Sequence, residues 1–195
     1  NRAPIGLGRP GPVPDYLDWT LWQGPAPEQP YQINTTRDKP GLHVHYDWHY
    51  FWNYGNGEIG NQGVHQMDIA VWGHNRGLPL RVHSAGGRFG MDDAGQTPNT
   101  QATTFSYADG SILTFEVRNL GSYEEFDGGA SGNSFFGTKG FYVVGKGFFS
   151  YKEGRMSERE AIPLPADATG AGEGDAFKRF LDAVRTRKPE DVPMS

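Results

Sequence analysis

Proline dominates the first part of the chain and limits what that part can fold into. Eight of the 14 prolines fall within the first 40 residues, at positions 4, 10, 12, 14, 25, 27, 30 and 40. Because each proline fixes its own φ and removes a backbone donor, this segment is predicted to contain no long helix and no central strand. We expect residues 1–40 to form an extended lead-in with one short turn of helix around residues 15–19. Three aromatic residues should pin it to the body of the protein, predicted as residues 41–195: Trp19, Trp22 and Tyr31.

The best helix of the first half is predicted over residues 61–74. Asn61 belongs to a residue type preferred at the N-cap, and Gly73 and Gly77 are stop signals. At 100° per residue, one apolar stripe forms on this helix from Val64, Met67 and Val71. Asn61, His65, Asp68 and Trp72 lie on another face.

The second half of the chain is predicted to be mostly strand. Asp109-Gly110 stands between two β-rich runs and predicts a hairpin over residues 100–118. Further strands are expected near residues 43–51, 80–84, 134–136, 141–144 and 148–152, with a glycine-rich loop at 120–132 and a long helix at 175–187. This order predicts an α+β fold, a largely antiparallel open β-sheet, mixed at most, with helices packed on one face.

Composition excludes several classes of protein. There is no cysteine, so neither a disulfide framework nor a thiolate metal site is possible. The net charge of −5, without blocks of Lys or Arg, argues against nucleic acid as a partner. No apolar run approaches the ~20 residues of a membrane span, so a soluble protein is expected, in the cytoplasm or the periplasm. Aromatic residues make up 13% of the chain, which is too many for a disordered protein.

Two glycine patterns resemble phosphate-binding motifs and are rejected on their context. Residues 6–11 match G-x-G-x-x-G, but only five residues precede them, and Pro12 and Pro14 prevent a helix from starting where the motif requires one. Residues 140–146 match G-x-x-x-x-G-K, but Gly147 stands where a Ser or Thr must bind Mg²⁺. No cofactor-binding residue is therefore assigned to this chain.

A histidine-rich stretch offers one route to a metal site. In an ideal strand His43, His45, Asp47 and His49 would all point to one face, about 6.6 Å apart at neighbouring positions. With His65 they would supply imidazole ligands for a metal hydrolase. The other interpretation is a polar face lining a cleft, and because no spacing signature matches, no metal ligand is assigned.

The stretch from Asn61 to Asp68 is the best candidate for chemistry. It places an amide, an imidazole and a carboxylate on one helix face, where His65 is suited to proton transfer near neutral pH. Aromatic side chains are dense nearby, among them Tyr46, Trp48, Tyr50 and Trp52. Aromatic rings beside amides and histidines suit a sugar, whose C–H face stacks while its hydroxyls are hydrogen-bonded. A surface histidine and a filled core are the alternatives.

These residues resemble the Gfo/Idh/MocA family, the relatives of glucose–fructose oxidoreductase and inositol dehydrogenase. The resemblance is carried by several motifs in fixed order: the segments 17–27, 48–52, 57–68, 86–90, 97–101, 136–140 and 177–189. It implies the C-terminal domain of an oxidoreductase that uses NAD or NADP, whose Rossmann domain lies outside this chain. It also implies a homo-oligomer formed through the open face of the sheet.

The resemblance assigns roles to individual residues. The catalytic pair of the family in this domain is commonly Asp-x-x-x-His, in which His65 matches the histidine and Asn61 replaces the aspartate. His65 and Asn61 are then the catalytic candidates. The substrate, a small sugar, cyclitol or glycoside, would be bound by Trp48, His49, Trp52, Gln62 and Asp68. Cleavage of a glycoside through a transient oxidation is a variant of the same chemistry.

A second hypothesis treats the chain as a non-catalytic carbohydrate-binding or assembly module. The chain begins at Asn1 and ends at Ser195, which we interpret as part of a longer protein that is inactive without its cofactor domain. Calorimetry with sugars, in the absence and presence of NAD, distinguishes this hypothesis from the first.

Overall fold

The computed structural model describes residues 3–120, 131–152, 155–163 and 173–188. The described strands pair only antiparallel and form three sheets: β1–β2, β3–β4–β5 and β6–β7–β8–β9. The predicted α+β class is confirmed, although one continuous sheet was expected. The elements in chain order are β1 (Gly8–Pro10), α1 (Trp19–Gln23), β2 (Gln32–Asn34), 3₁₀ helices at Asp47–Tyr50 and Gly57–Ile59, α2 (Gln62–His74), β3 (Arg81–Gly87), β4 (Thr100–Ser106), β5 (Ile112–Arg118), β6 (Ser134–Phe136), β7 (Gly140–Val143), β8 (Gly147–Lys152), β9 (Arg155–Ile162) and α3 (Glu173–Thr186).

The proline-rich segment folds back onto the chain that follows it. Its short helix α1 begins at Trp19, later than predicted, because the Asp18 carboxylate caps it by accepting from the Leu21 N–H at 2.9 Å. Trp19 stacks on Trp22 at 4.7 Å and meets the edge of Tyr31 at 5.3 Å. Trp19 and Tyr31 are buried, as predicted for residues that pin the segment down.

A second apolar cluster joins the first residues to the segment beyond residue 40. Ile5 is buried together with Leu42, Tyr50 and Phe51. The division of the chain at residue 40 stays a prediction, but side chains from both sides of it share this core.

Helix α2 has the predicted bounds but a different packing face. The predicted stripe is about half exposed, at 52% for Val64 and 46% for Val71. Gly63 and Ala70 are buried instead. A Cβ on Gly63 would lie 3.0 Å from the Phe115 ring of β5, and one on Gly73 would lie 2.6 Å from the Phe135 ring of β6. Small residues therefore face the sheets, because the two phenylalanine rings occupy the space that larger helix side chains would need.

Replacing the buried Gly63 by valine is expected to destabilise the protein by about 1–3 kcal/mol, because the new side chain would crowd the Phe115 ring and the backbone carbonyl oxygen of Glu58. Urea unfolding measures the effect. Trp72→Ala is the matched control, since Trp72 is 81% exposed on the same helix and should change the free energy of unfolding by about 0.5 kcal/mol or less. Equal effects for the two variants would contradict this packing.

The hairpin predicted from Asp109-Gly110 is confirmed, and it joins β4 to β5. Gly110 adopts φ +84°, and the Asp109 carboxylate accepts from the Ser111 N–H at 3.0 Å. The strands near 80–84, 134–136, 141–144 and 148–152 are also confirmed within a few residues. Strand β9 was missed, because its sequence is rich in charged residues rather than in β-branched or aromatic ones. Most of the loop predicted at 120–132 lies outside the described residues.

The last predicted helix is confirmed as α3, with one apolar side at the surface. Phe177, Phe180, Leu181 and Val184 are each at least half exposed, while Ala183 is buried. No helix among the described residues combines the length and the apolar character needed to cross a membrane.

Candidate functional site

The chain enters helix α2 through a buried carboxylate. The 3₁₀ helix Gly57–Ile59 turns Glu58 inward, leaving it 5% exposed. Gly57 adopts φ +77°, and a Cβ there would lie 2.6 Å from Thr97 Oγ1, so the tight approach requires glycine. The entry to α2 is thus fixed against the 97–99 segment.

Three donors surround the Glu58 carboxylate. The Tyr50 hydroxyl donates to Oε1 at 2.7 Å, and Asn119 Nδ2 donates to the same oxygen at 3.3 Å. Asn61 Nδ2 donates to Oε2 at 3.5 Å and to the Tyr46 hydroxyl at 3.4 Å. The predicted N-cap residue therefore caps nothing through its side chain, because its amide group is directed to Glu58 and Tyr46. Its Oδ1 is left as an acceptor.

His49 completes this group of side chains. It lies in the 3₁₀ helix Asp47–Tyr50 and is 5% exposed. Its ring centroid is 4.0 Å from that of Tyr50, 4.9 Å from that of Tyr46 and 5.7 Å from that of Trp48. We name this group the helix-entry cluster: Tyr46, His49, Tyr50, Glu58, Asn61 and Asn119.

Hydrogen bonding determines the tautomer of His49. Nδ1 lies 2.7 Å from the Tyr46 carbonyl oxygen, which can only accept, so Nδ1 carries the proton. Nε2 is then an acceptor, and it is buried without a partner among the described residues. A buried acceptor of this kind is costly unless another molecule donates to it.

The structure brings together three of the predicted site residues: Trp48, His49 and Asn61. His65 follows Asn61 by one helical turn, about 6 Å along the axis, and is exposed on the outer side of α2. The other predicted residues are also exposed and lie apart from the cluster's hydrogen bonds: Trp52, Gln62 and Asp68. His65 and Asp68 are exposed, but so are Val64 and Val71 of the predicted apolar stripe, so exposure does not separate the two predicted faces.

Sequence reasoning missed Glu58 and Asn119. Glu58 precedes Asn61 by three residues within a segment already singled out, so its position was a usable signal. Asn119 is separated from Glu58 by 61 residues, and it reaches the site only because it directly follows strand β5. Tyr46 and Tyr50 were noted only as part of the aromatic density.

The strand predicted at residues 43–51 is wrong, and so is the shared face of its four polar residues. The chain forms a turn followed by a 3₁₀ helix. His43 packs among aromatic rings, His45 is exposed, and Asp47 pairs with Lys39. Among the residues that the structure describes, no group of three His, Asp or Glu residues could hold a metal ion. The metal-hydrolase hypothesis thereby loses its geometric basis.

His43 has an unusual protonation equilibrium. Burial lowers its pKa from 6.5 to about 4, because the charged imidazolium would be desolvated among Trp19, Phe51 and Tyr54. Its ring is 4.2 Å from Phe51, centroid to centroid.

The free energy of unfolding should therefore decrease as the pH is lowered through a defined window. Between pH 6.5 and about 4 the unfolded chain binds a proton at His43 that the folded chain does not, so acid favours unfolding. The expected loss from this residue is about 2 kcal/mol between pH 7 and pH 4.5. Urea unfolding at both pH values, on wild type and His43→Phe, isolates this contribution. A wild-type pH dependence no steeper than that of the variant would contradict it.

The glycine pattern of residues 6–11 is not folded as a dinucleotide-binding turn. Residues 8–10 of the glycine pattern form β1, which pairs with β2, and no helix begins directly after them. The geometry that directs a helix N-terminus at a pyrophosphate is therefore not formed there.

Comparison with known proteins gives one match. A family model described as the C-terminal alpha/beta domain of an oxidoreductase family matches residues 7–142, more than half of the chain. The match includes every residue of the helix-entry cluster. No curated protein and no solved structure matches.

Proposed function

The chain belongs to the Gfo/Idh/MocA oxidoreductase family, of which it carries the C-terminal alpha/beta domain, and from this premise we propose that it binds the substrate of an NAD(P)-dependent oxidoreductase. The substrate is a sugar, cyclitol or glycoside that reacts at a hydroxyl group. The observation that carries the proposal is the helix-entry cluster, in which a buried carboxylate, an amide and an imidazole acceptor meet beside Trp48.

Each group has a role that matches a hydroxyl-bearing ligand. Oδ1 of Asn61 would accept a hydrogen bond from a ligand hydroxyl, and the His49 ring, whose Nε2 is enclosed, packs beside Trp48. Trp48 is 40% exposed beside His49 and offers an aromatic face for the C–H side of a sugar ring. Trp52, Gln62 and Asp68 are exposed and would contact the ligand from the surface.

His65 moves the proton in this proposal. It stands one turn into α2, exposed and without a hydrogen-bond partner among the described residues, so its ring can approach a ligand. Asn61 orients the ligand but cannot stabilise an imidazolium as a carboxylate would. A positive charge on the His65 ring during proton transfer must therefore be stabilised by groups other than Asn61.

In this proposal the dinucleotide is bound by residues other than those that the structure describes. The chemistry that we assign to this chain is therefore confined to binding the hydroxyl compound, orienting its reacting carbon and holding its proton. The family's cofactor accepts or donates hydride when it is bound.

This domain also builds an oligomer in our proposal. The support is the face of the β3–β4–β5 sheet opposite α2, where Ala102, Thr114 and Glu116 are exposed, and the exposed strand β3. Sedimentation velocity of the whole protein tests this role, and a monomer at micromolar concentration would contradict it.

The test of function is turnover by the whole protein with NAD⁺ or NADP⁺ and a panel of sugars, cyclitols and glycosides. We expect reduced nicotinamide to appear with at least one class of compound. Release of an aglycone that requires NAD⁺ without net reduction would indicate the glycosidase variant.

A non-catalytic carbohydrate-binding module is the second candidate, since the exposed Trp48 ring beside His49 would also suit sugar binding without turnover. Calorimetry separates the two. Saturable sugar binding without turnover on either dinucleotide would support the module and overturn the oxidoreductase role.

A further inference from the structure

We propose that the cavity beside His43 binds a small uncharged ligand rich in hydroxyl groups, about the size of one sugar ring. This second site goes beyond the proposed function. None of the residues that line the cavity belongs to the helix-entry cluster.

The cavity has a volume of about 240 Å³. One water molecule occupies about 30 Å³ in the liquid, so the space exceeds what a single ordered water would fill. Carboxamide side chains from three parts of the chain line it: Gln29, Gln32, Asn53 and Gln96. Phe51 and Tyr54 contribute aromatic walls.

His43 lies at the cavity with both ring nitrogens lacking hydrogen-bond partners among the described residues. The residue is 6% exposed, and its Nδ1 is fully enclosed, whereas Nε2 is not. A neutral imidazole has one donor and one acceptor, and leaving either unpaired in a buried place destabilises the protein. A bound molecule that reaches Nε2 would relieve part of this cost.

The lining determines the class of ligand. It contains no Asp, Glu, Lys or Arg, and burial keeps the pKa of His43 near 4, so the ring is neutral at pH 7. A charged ligand would find no opposite charge there. Carboxamides donate and accept, as hydroxyl groups do, and aromatic walls pack against C–H groups. These properties together match a monosaccharide or a cyclitol.

The test follows the histidine ring nitrogens of the whole, ¹⁵N-labelled protein by NMR, with methyl α-glucopyranoside and myo-inositol as probes. We expect at least one probe to shift the His43 ring resonances in a saturable manner. Gln32→Leu removes one carboxamide of the wall and should weaken the apparent affinity about threefold to tenfold. His65→Ala should leave the His43 response unchanged, which separates this site from the proposed catalytic one.

Assignment of the His43 resonances uses His43→Phe, and the melting temperature shows whether each variant folds. If neither probe shifts the His43 resonances at 50 mM, on the order of ten times a weak dissociation constant, the cavity holds only water. This result would overturn the proposal. So would equal affinity in wild type and folded Gln32→Leu. Loss of the response in His65→Ala would assign the ligand to the site proposed around His65 and would also overturn the proposal.

Discussion

Replacing Asp93 by alanine is expected to lower the free energy of unfolding by about 3–5 kcal/mol, because it leaves the Arg88 guanidinium buried without a counter-ion. Arg88 Nε donates to Asp93 Oδ1 at 2.7 Å, and an Arg88 Nη donates to Oδ2 at 2.6 Å. The side chains are 11% and 0% exposed. Because this ion pair is bidentate, removing one side chain leaves two charge-assisted hydrogen bonds of the other unmade.

Asp93 also connects distant parts of the fold. Its carboxylate accepts from the backbone N–H of Ile5 at 2.8 Å and from that of Gly95 at 3.1 Å. The Arg88 guanidinium lies 5.3 Å from the ring centroid of Tyr50, which bonds Glu58. Loss of Asp93 should therefore loosen both the first residues of the chain and the helix-entry cluster.

The ionised form of Asp93 is the one that stabilises the fold. Burial alone would raise its pKa, but the hydrogen bonds from Arg88 and Ile5 and the charge of the guanidinium outweigh burial and lower it. A lowered folded-state pKa means that this stabilisation is present above the unfolded value of about 3.9 and is lost as the pH falls below it.

The control for Asp93→Ala is Arg76→Ala, which breaks the exposed ion pair between Arg76 and Asp109. These side chains are 55% and 43% exposed, so we expect a change of about 0–1 kcal/mol. Urea unfolding at pH 7 measures both. A loss below about 1 kcal/mol for Asp93→Ala would show that the buried pair contributes no more than the surface pair.

Replacing His65, the proposed proton-transfer residue, by alanine is expected to reduce kcat/KM of the whole protein by about 10²–10⁴, because a positioned acid–base group contributes a factor of this size. The residue is exposed, so the free energy of unfolding should change by about 0.5 kcal/mol or less. Loss of activity would then reflect chemistry rather than folding. The reduction should fall mainly on kcat, since the proton moves in the reaction step.

His45→Ala is the matched control for His65→Ala. His45 is another exposed histidine, so its removal takes away one surface imidazole without touching α2. We expect its kcat/KM to equal that of the wild type. Unchanged kcat/KM in His65→Ala, with a substrate that the enzyme turns over, would rule out His65 as the proton-transfer residue.

The sequence alone determined the elements whose signals are local. The bounds of α2 match the prediction, although Asn61 makes no side-chain cap hydrogen bond and the C-cap is Asn75 rather than a glycine. The β4–β5 hairpin followed from Asp109-Gly110, because a tight turn depends on a few neighbouring residues. The motif order also identified the family, which the match over residues 7–142 confirms. The segment that holds Asn61 was recognised for the same reason.

Only the tertiary structure decided which side chains meet. Periodicity marked Val64 and Val71 as the core face of α2, but Phe115 and Phe135 leave room only for Gly63, Ala70 and Gly73. Alternation marked residues 43–51 as a strand, yet residues 47–50 form a 3₁₀ helix in which Tyr50 is buried while Trp48 is 40% exposed. The carboxylate of Glu58 meets Asn119 across 61 residues, because contacts of this range depend on the packing of sheets and helix together, which no short sequence pattern encodes.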